Sequence, residues 1–203
     1  AVTPGRIVWS NDLIARNLTE GLDENATARK LFEFVQSFPY QVTHFEDNDG
    51  TELYDYERGD CRHKREALYH LLQERGFEVR KVAVLFDWAD LPIPKEILKL
   101  KKKSGTKAFH SAMEVKIAGK WLYVDPTWNP ELAKLGFPVT EHWDAKSPTK
   151  EISNGTTVKH QHDSYQTIGE LYEEHDIPWP LISETIAFNN KLNPCLAKQR
   201  AKK

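Results

Sequence analysis

Residues Phe109 to Trp128 read FHSAMEVKIAGKWLYVDPTW. Apolar and polar side chains alternate along both halves, with Ala118 and Gly119 between them. Period-two alternation marks half-buried strands, and a two-residue loop joins them as a hairpin. With Ala118-Gly119 as the loop, Ile117 faces Lys120, Val115 faces Leu122 and Met113 faces Val124. These residues largely share one apolar face. The opposite face carries His110, Ala112, Glu114 and Lys116 on one strand, and Trp121, Tyr123, Asp125 and Thr127 on the other. A one-residue slip would send every side chain to the other face, so the register decides which groups meet. In this register Asp125 lies opposite Ala112, one diagonal step from His110. Diagonal neighbours are about 7–8 Å apart at the backbone, within reach of an imidazole and a carboxylate. The pattern predicts an Asp–His pair. Trp121 and Tyr123 share its face, which is read as covered, with the preceding helix as its natural cover.

That helix is expected over Asp60–Arg75. Asp60 is the N-cap, Ala67, Leu68, Leu71 and Leu72 form the core stripe, and Gly76 is the stop. Cys61 falls in the first turn, where free amides and the helix dipole favour thiolate over thiol. Arg62, His63, Lys64 and Arg65 add positive charge, and Asp60 opposes it. Arg62 and Lys64 are read as a solvated helix face. Further helices are expected over Ser10–Thr19 and Asn25–Phe38, the latter capped by Asn25 and ended by Pro39. His44–Gly59 reads as an acidic loop and Glu78–Phe86 as a strand. Asp87–Lys107 reads as a surface insertion with a short helix near Glu96, overhanging the site. Lys134–Gly155 reads as loop, Ser164–His175 and Leu181–Leu192 as helices, and the basic tail AKQRAKK as frayed.

The 203 residues are expected to form one α+β domain, with a core over about 25–130 and a C-terminal extension over 140–203. Basic and acidic residues number 28 and 30, and the net charge of −2 argues against a general polyanion binder. The run KLKKKSGTK (Lys99–Lys107) is balanced by the acidic stretch Glu46–Glu57, so no nucleic-acid partner is expected. No apolar run approaches the ~18 residues that span a bilayer. The start AVTPGRIVW lacks the pattern of a leader. A cytoplasmic location without membrane attachment is the expectation. Two cysteines, Cys61 and Cys195, are too few for a disulfide scaffold, although a bond between them would silence the thiol. His160, His162 and Asp163, with His142 upstream, are read as surface residues rather than a metal site, because no paired-cysteine motif accompanies them. No cofactor is expected.

A thiol nucleophile needs a base, and that base needs a third group to fix its tautomer. Cys61, His110 and Asp125 supply these roles. The backbone N–H of Cys61 is one oxyanion donor. Tyr54 and Tyr56, from the loop before the helix, are candidates for the second. In order, Gly59-Asp60-Cys61 at a helix start, a strand, FHSAMEV and GKWLYVDPTWNP resemble the transglutaminase-like superfamily of the papain-like thiol fold, over residues 25 to 130. Trp121-x-x-x-Asp125-Pro126-Thr127 is the most specific piece. The resemblance implies a central helix carrying the cysteine, packed on an antiparallel sheet. It implies Cys61 as nucleophile, His110 as base and Asp125 as the group that orients it. Arg62 departs from the tryptophan that often follows the cysteine. No calcium-binding loop is visible, so the calcium dependence of animal crosslinkers does not carry over.

The resemblance includes crosslinkers, peptidases, glycopeptide amidases and inactive proteins. The expected reaction is acyl transfer from an amide, or an ester, of a peptide or protein substrate through a Cys61 thioester, with hydrolysis favoured over crosslinking. The rival is a non-catalytic module that binds peptide or carbohydrate, with Trp88, Trp121, Trp128 and Trp143 lining its groove.

Overall fold

The chain forms α1 (Asn11–Thr19), α2 (Glu24–Gln36), α3 (Thr51–Tyr56), α4 (Cys61–Glu74), β1 (Val79–Asp87), α5 (Lys95–Leu98), β2 (Lys107–Ile117), β3 (Lys120–Val124), β4 (Val158–Gln161), α6 (Ile168–Glu174) and α7 (Ile182–Arg200). This is a computed structural model, and it describes residues 9–161 and 167–202. The four strands make one antiparallel sheet in the order β3-β2-β1-β4.

The hairpin has the register its side chains call for: Met113 pairs with Val124, Val115 with Leu122 and Ile117 with Lys120. Ala118 and Gly119 form its turn at φ +50° and +77°. Positive φ at both central residues is what a type I′ turn requires, and it matches the twist of the strands. The ladder ends at Val124, so the first half of β2 has no strand on that side.

The two faces of the sheet are covered differently from the expectation. Leu68, Leu71 and Leu72 of α4 pack on Met113, Val115, Ile117, Leu122 and Val124, joined by Leu31, Phe32 and Val35 of α2. The helix thus covers the uniformly apolar face, not the one bearing His110 and Asp125. Its leucine stripe offers no partners for polar groups, and those need them when buried. The other face, with Val82, Val84, Ala112 and Tyr123, is covered by Trp128, Leu132, Phe137, Val139 and Ile152, and by Phe188, Leu192 and Leu196 of α7. The C-terminal third therefore contributes to the core over this second face.

Other expectations also shift. Asp23, not Asn25, caps α2 by accepting the Ala26 N–H at 2.8 Å, while Asn25 donates to the Ala145 carbonyl. The acidic loop contains α3, whose entry at Gly50 (φ +83°) runs so close to α4 that a Cβ there would lie 2.2 Å from Ala67 Cα. The 87–107 insertion buries Leu91, Ile93 and Ile97 in the second core, so it is more than a surface loop. Helix α7 continues through Pro194 to Arg200, whose Nη1 donates to the Tyr40 carbonyl at 2.8 Å, so the first part of the basic tail is anchored rather than frayed. No described helix is long and apolar enough to cross a membrane.

Ala118 is a non-glycine residue in the left-handed region, which costs roughly 1 kcal/mol that asparagine largely avoids. Ala118→Asn should raise the thermal midpoint by about 2–4 °C in a calorimetric scan. An unchanged or lower midpoint would contradict the turn assignment.

Candidate active site

Cys61 is placed by the backbone before it. Pro39 ends α2, and the next residues lie parallel to the Gly59 strand end: Gln41 N–H donates to the Gly59 carbonyl (2.9 Å) and Gly59 N–H to the Pro39 carbonyl (3.3 Å). Gly59 is required here, because a Cβ would come within 2.7 Å of His63 Cβ. Asp60 then caps α4. Its carboxylate accepts the Arg62 N–H, and His63 Nδ1 takes the Asp60 N–H at 3.1 Å, a capping box closed by histidine. His63 Nε2 meets the Phe45 carbonyl at 2.9 Å. Burial opposes ionisation of Asp60, but hydrogen bonds from His63 and Arg62 overcome it and hold the carboxyl down at about 2.

The basic cluster is not a solvated face. Arg62 lies half-exposed, bound to both Asp60 oxygens (3.0 and 2.8 Å) and to the Thr43 carbonyl (2.8 Å). Lys64 is fully buried. Its Nζ donates to the carbonyls of Gln36 (3.0 Å), Phe38 (2.7 Å) and Thr127 (2.9 Å). One ammonium thus ties the end of α2 and the segment after Asp125 to the head of α4. Burial pulls it down to about 7.

His110 and Asp125 meet directly. His110 Nε2 lies 2.6 Å from Asp125 Oδ2, and both side chains are almost wholly buried. Tyr123 Oη donates to the same oxygen at 3.1 Å. The other oxygen takes the Thr127 N–H (3.0 Å) and the Thr127 hydroxyl. The Asp125 N–H donates to Thr149 Oγ1 at 2.9 Å. Every residue of the Tyr-x-Asp-Pro-Thr run except Val124 and Pro126 therefore serves to hold this carboxylate. Cys61 lines the same cleft as the ring, and with Nε2 occupied by Asp125, Nδ1 is the nitrogen left for the sulfur. Burial disfavours the imidazolium. The charges of Asp125 and Cys61 and hydrogen bonds to both outweigh it, pushing His110 up to about 10. Asp125 is held below its ordinary value: burial opposes this, and the His110 charge and its hydrogen bond prevail.

Beside Cys61 and His110 a cleft of about 450 Å³ opens, with Asp125 buried behind the ring. Cys61 and His110 line it with Tyr40, Thr43, Lys101, Trp88, Phe109 and Phe188, and the rim includes Ile168 and Pro180. The residues expected to assist do not reach it. Tyr54 is buried among Phe34, Phe38 and Trp9 and donates its hydroxyl to Asn11 Oδ1 at 2.9 Å. Tyr56 stacks on Phe45, centroids 4.1 Å apart. Trp128 is core, its Nε1 on the Ile152 carbonyl. Of the other tryptophans, Trp143 is buried and Trp121 lies under the Arg80 guanidinium. Tyr40, overlooked in the sequence, is the cleft tyrosine. Burial pushes its phenol well up, and the charges of Cys61 and Asp60 add to this. Only its position after the helix-ending Pro39 could have drawn notice to it.

Among the described residues no group of three or more histidine, cysteine or acidic side chains is arranged to hold a metal. His160 Nε2 meets His175 Nε2 at 2.8 Å, and His142 is exposed; His162 and Asp163 lie outside the described residues. Cys61 and Cys195 are both free.

The sequence profile of the transglutaminase-like superfamily matches residues 12–126, more than half of the chain. The chain belongs to the transglutaminase-like superfamily. Its fold is a mixed arrangement of helices on an antiparallel sheet. No curated protein sequence gives a match. Among solved structures, similarity is found to a candidate protease from Parabacteroides distasonis (13% identity, TM-score 0.41, 56% of this chain and 22% of that one). A candidate cysteine protease from Cytophaga hutchinsonii is similar at 11% identity, TM-score 0.44, with 77% and 52% covered. Arylamine N-acetyltransferase C from Bacillus anthracis is similar at 14% identity, TM-score 0.40, with 92% and 76% covered. The chain thus spans about a fifth and about half of the first two.

Removing the buried Lys64 ammonium leaves three carbonyls without their donor. At about 1 kcal/mol or more for each unsatisfied group, Lys64→Met should cost roughly 3 kcal/mol of unfolding free energy in a urea titration. A loss below about 1 kcal/mol would show that the carbonyls find other partners.

Proposed function

We propose that this superfamily member is a cysteine-dependent acyl-transfer enzyme acting on amide or ester bonds of peptide-like substrates, with water as acceptor. The observation that carries the reading is one imidazole, bonded at Nε2 by a buried carboxylate and sharing the wall of an open cleft with the Cys61 thiol.

In the proposed reaction the Cys61 sulfur attacks the scissile carbonyl carbon and the carbonyl π pair moves to oxygen. The Cys61 N–H, at the start of α4, faces that oxyanion, and we assign the second donor to the Tyr40 hydroxyl in place of Tyr54 or Tyr56. Collapse expels the amine, which takes its proton from the His110 imidazolium and leaves a thioester on Cys61. Neutral His110 then removes a proton from water as the oxygen attacks the thioester. The sulfur leaves, the acid is released and the ion pair is restored. Asp125 stays ionised throughout and keeps Nε2 protonated. Water needs no docking surface of its own, whereas an amine acceptor does, and this favours hydrolysis.

Two experiments test the reading. Exposure to an activated acyl ester such as p-nitrophenyl acetate, followed by intact mass measurement after acid quenching, should show one acetyl adduct located at Cys61 and absent in Cys61→Ala. An adduct elsewhere, or none, sinks the assignment. Added hydroxylamine or glycinamide should divert little of the acyl group if water is the preferred acceptor; efficient capture by glycinamide would make the chain a transamidase.

The pH dependence follows from His110. Its folded value is raised, so its stabilising interactions are complete below about 6.5 and are lost as pH rises through about 10. Asp125 is depressed, so its contribution fades only on acidification. Turnover should therefore fall on an alkaline limb near pH 10, where the imidazolium acid disappears. Asp125→Asn should move that limb to lower pH. A limb unmoved by Asp125→Asn would separate Asp125 from His110 in function.

A further inference from the structure

The cleft wall carries a charge that the reaction scheme above does not use. Lys101 ends the 3₁₀ turn Lys99–Lys101 in the 87–107 insertion and lines the cleft that Cys61 and His110 line. It is only 9% exposed. Its Nζ sits 4.6 Å from the centre of the Phe188 ring. Among the described residues it makes no ion pair. The nearest acid in charge terms is Glu184, whose oxygens are occupied by the N–H of Lys103 (2.9 Å) and by the N–H (2.8 Å) and hydroxyl (2.5 Å) of Ser104. Asp60, the acid of the cleft lining, is held by Arg62 and His63.

A buried lysine with no anion is costly unless a partner arrives. A ring face offsets some of the loss, since a cation over an aromatic ring is worth about 0.5–2 kcal/mol. Burial draws the Lys101 ammonium below its ordinary value, and the charge of Glu184 opposes this only in part. The cleft lining includes Trp88, Phe109, Phe188, Ile168 and Pro180, and its other cation, Arg62, is committed to Asp60 and the Thr43 carbonyl. The Trp88 and Phe188 rings pack edge to face at 5.2 Å, forming a flat-sided wall. Nearby, Thr43 Oγ1 is buried without a hydrogen-bond partner and belongs to the same lining. One cation without a carboxylate partner, a spare hydroxyl and an aromatic wall describe a receptor for an apolar group that bears an anion.

We propose that Lys101 anchors a carboxylate of the substrate, so that the cleft selects acyl compounds carrying both an aromatic or other apolar group and a carboxylate. This rests on the reading of Cys61 as the nucleophile for the word substrate, but not for binding itself. The charge-assisted bond is formed when the ligand enters, and the Lys101 side chain needs little rearrangement because the Phe188 ring already holds its ammonium.

Phenylacetate and phenylacetamide are nearly the same in size and shape and differ in the anionic oxygen at issue, which an NH2 group replaces. Tryptophan fluorescence, with Trp88 in the cleft, reports their binding to the full chain. Phenylacetate should bind about tenfold more tightly, the least that one charge-assisted hydrogen bond provides. In Lys101→Met the two should bind alike, and Lys101→Arg should restore most of the preference. That rescue distinguishes a charge requirement from a folding defect, and thermal midpoints of the variants check the fold. Equal binding of the two ligands to the parent chain, or an undiminished preference in Lys101→Met, overturns the proposal. Phenylacetate should also slow alkylation of Cys61 by iodoacetamide, which locates it in this cleft; binding without protection places it elsewhere and overturns it too. A Cys61 inert to iodoacetamide would instead count against the nucleophile, with the fluorescence titration still deciding on Lys101.

Discussion

The contact between His110 Nε2 and Asp125 Oδ2 is the constraint on which the site depends, and the hairpin register makes it possible. Shift the ladder by one residue and Asp125 turns to the leucine side, where α4 would bury it without donors. In the observed register it accepts from Tyr123, Thr127 and His110, all within a few residues on the same hairpin or its end. A carboxylate so provided for can remain ionised in a buried place. The ring it holds can then present one nitrogen, in one orientation, to whatever stands at the head of α4.

What stands there is set by a second constraint, independent of the sheet. The β2–β3 ladder stops at Val124, so the first half of β2 is paired on one side only, by β1, and the head of α4 lines the same cleft as this stretch. Lys64 ties the three contributing segments together through their carbonyls, and Gly59 lets the incoming chain lie close against His63. The sulfur therefore owes its position to a buried cation one turn into its own helix. That arrangement also explains why Asp60 can sit next to Cys61. Its charge is taken up by Arg62 and His63, so capping the helix does not face an open carboxylate toward the thiol.

Strands β1 to β3, the main helices and the Asp–His pair were legible because each rests on local periodicity and on one turn. Ala118-Gly119 fixed the parity, and parity alone put His110 and Asp125 on one face. Which helix covers which face was not legible. Both faces of the hairpin carry large apolar residues, and only the absence of polar groups opposite Leu68, Leu71 and Leu72 decides between them. Lys64 was misread for a related reason: a lysine between charged neighbours looks solvated until three carbonyls from distant segments are known to converge on it. The strand β4 has one apolar residue in four, and α3 is a turn and a half, so neither leaves a readable period. Tyr40 and Phe188 reach the cleft from segments 21 residues before and 127 residues after Cys61, with no motif to announce them.

The C-terminal third, read as an extension, does two things at once. Leu192 and Leu196 of α7 bury the second face of the sheet, while Phe188 and Thr185, one and two turns earlier, wall the cleft. Arg200 at its far end holds the Tyr40 carbonyl, and Asn193 pairs with both backbone groups of Val42. The segment Tyr40–Thr43, which borders Cys61, is thus pinned from one side by Gly59 and from the other by α7. Core packing and cleft shape cannot vary separately in such an arrangement. A substitution at Leu192 that tilts α7 would be felt at Phe188, and so at the aromatic wall beside the thiol, before it was felt at the hairpin that holds the base.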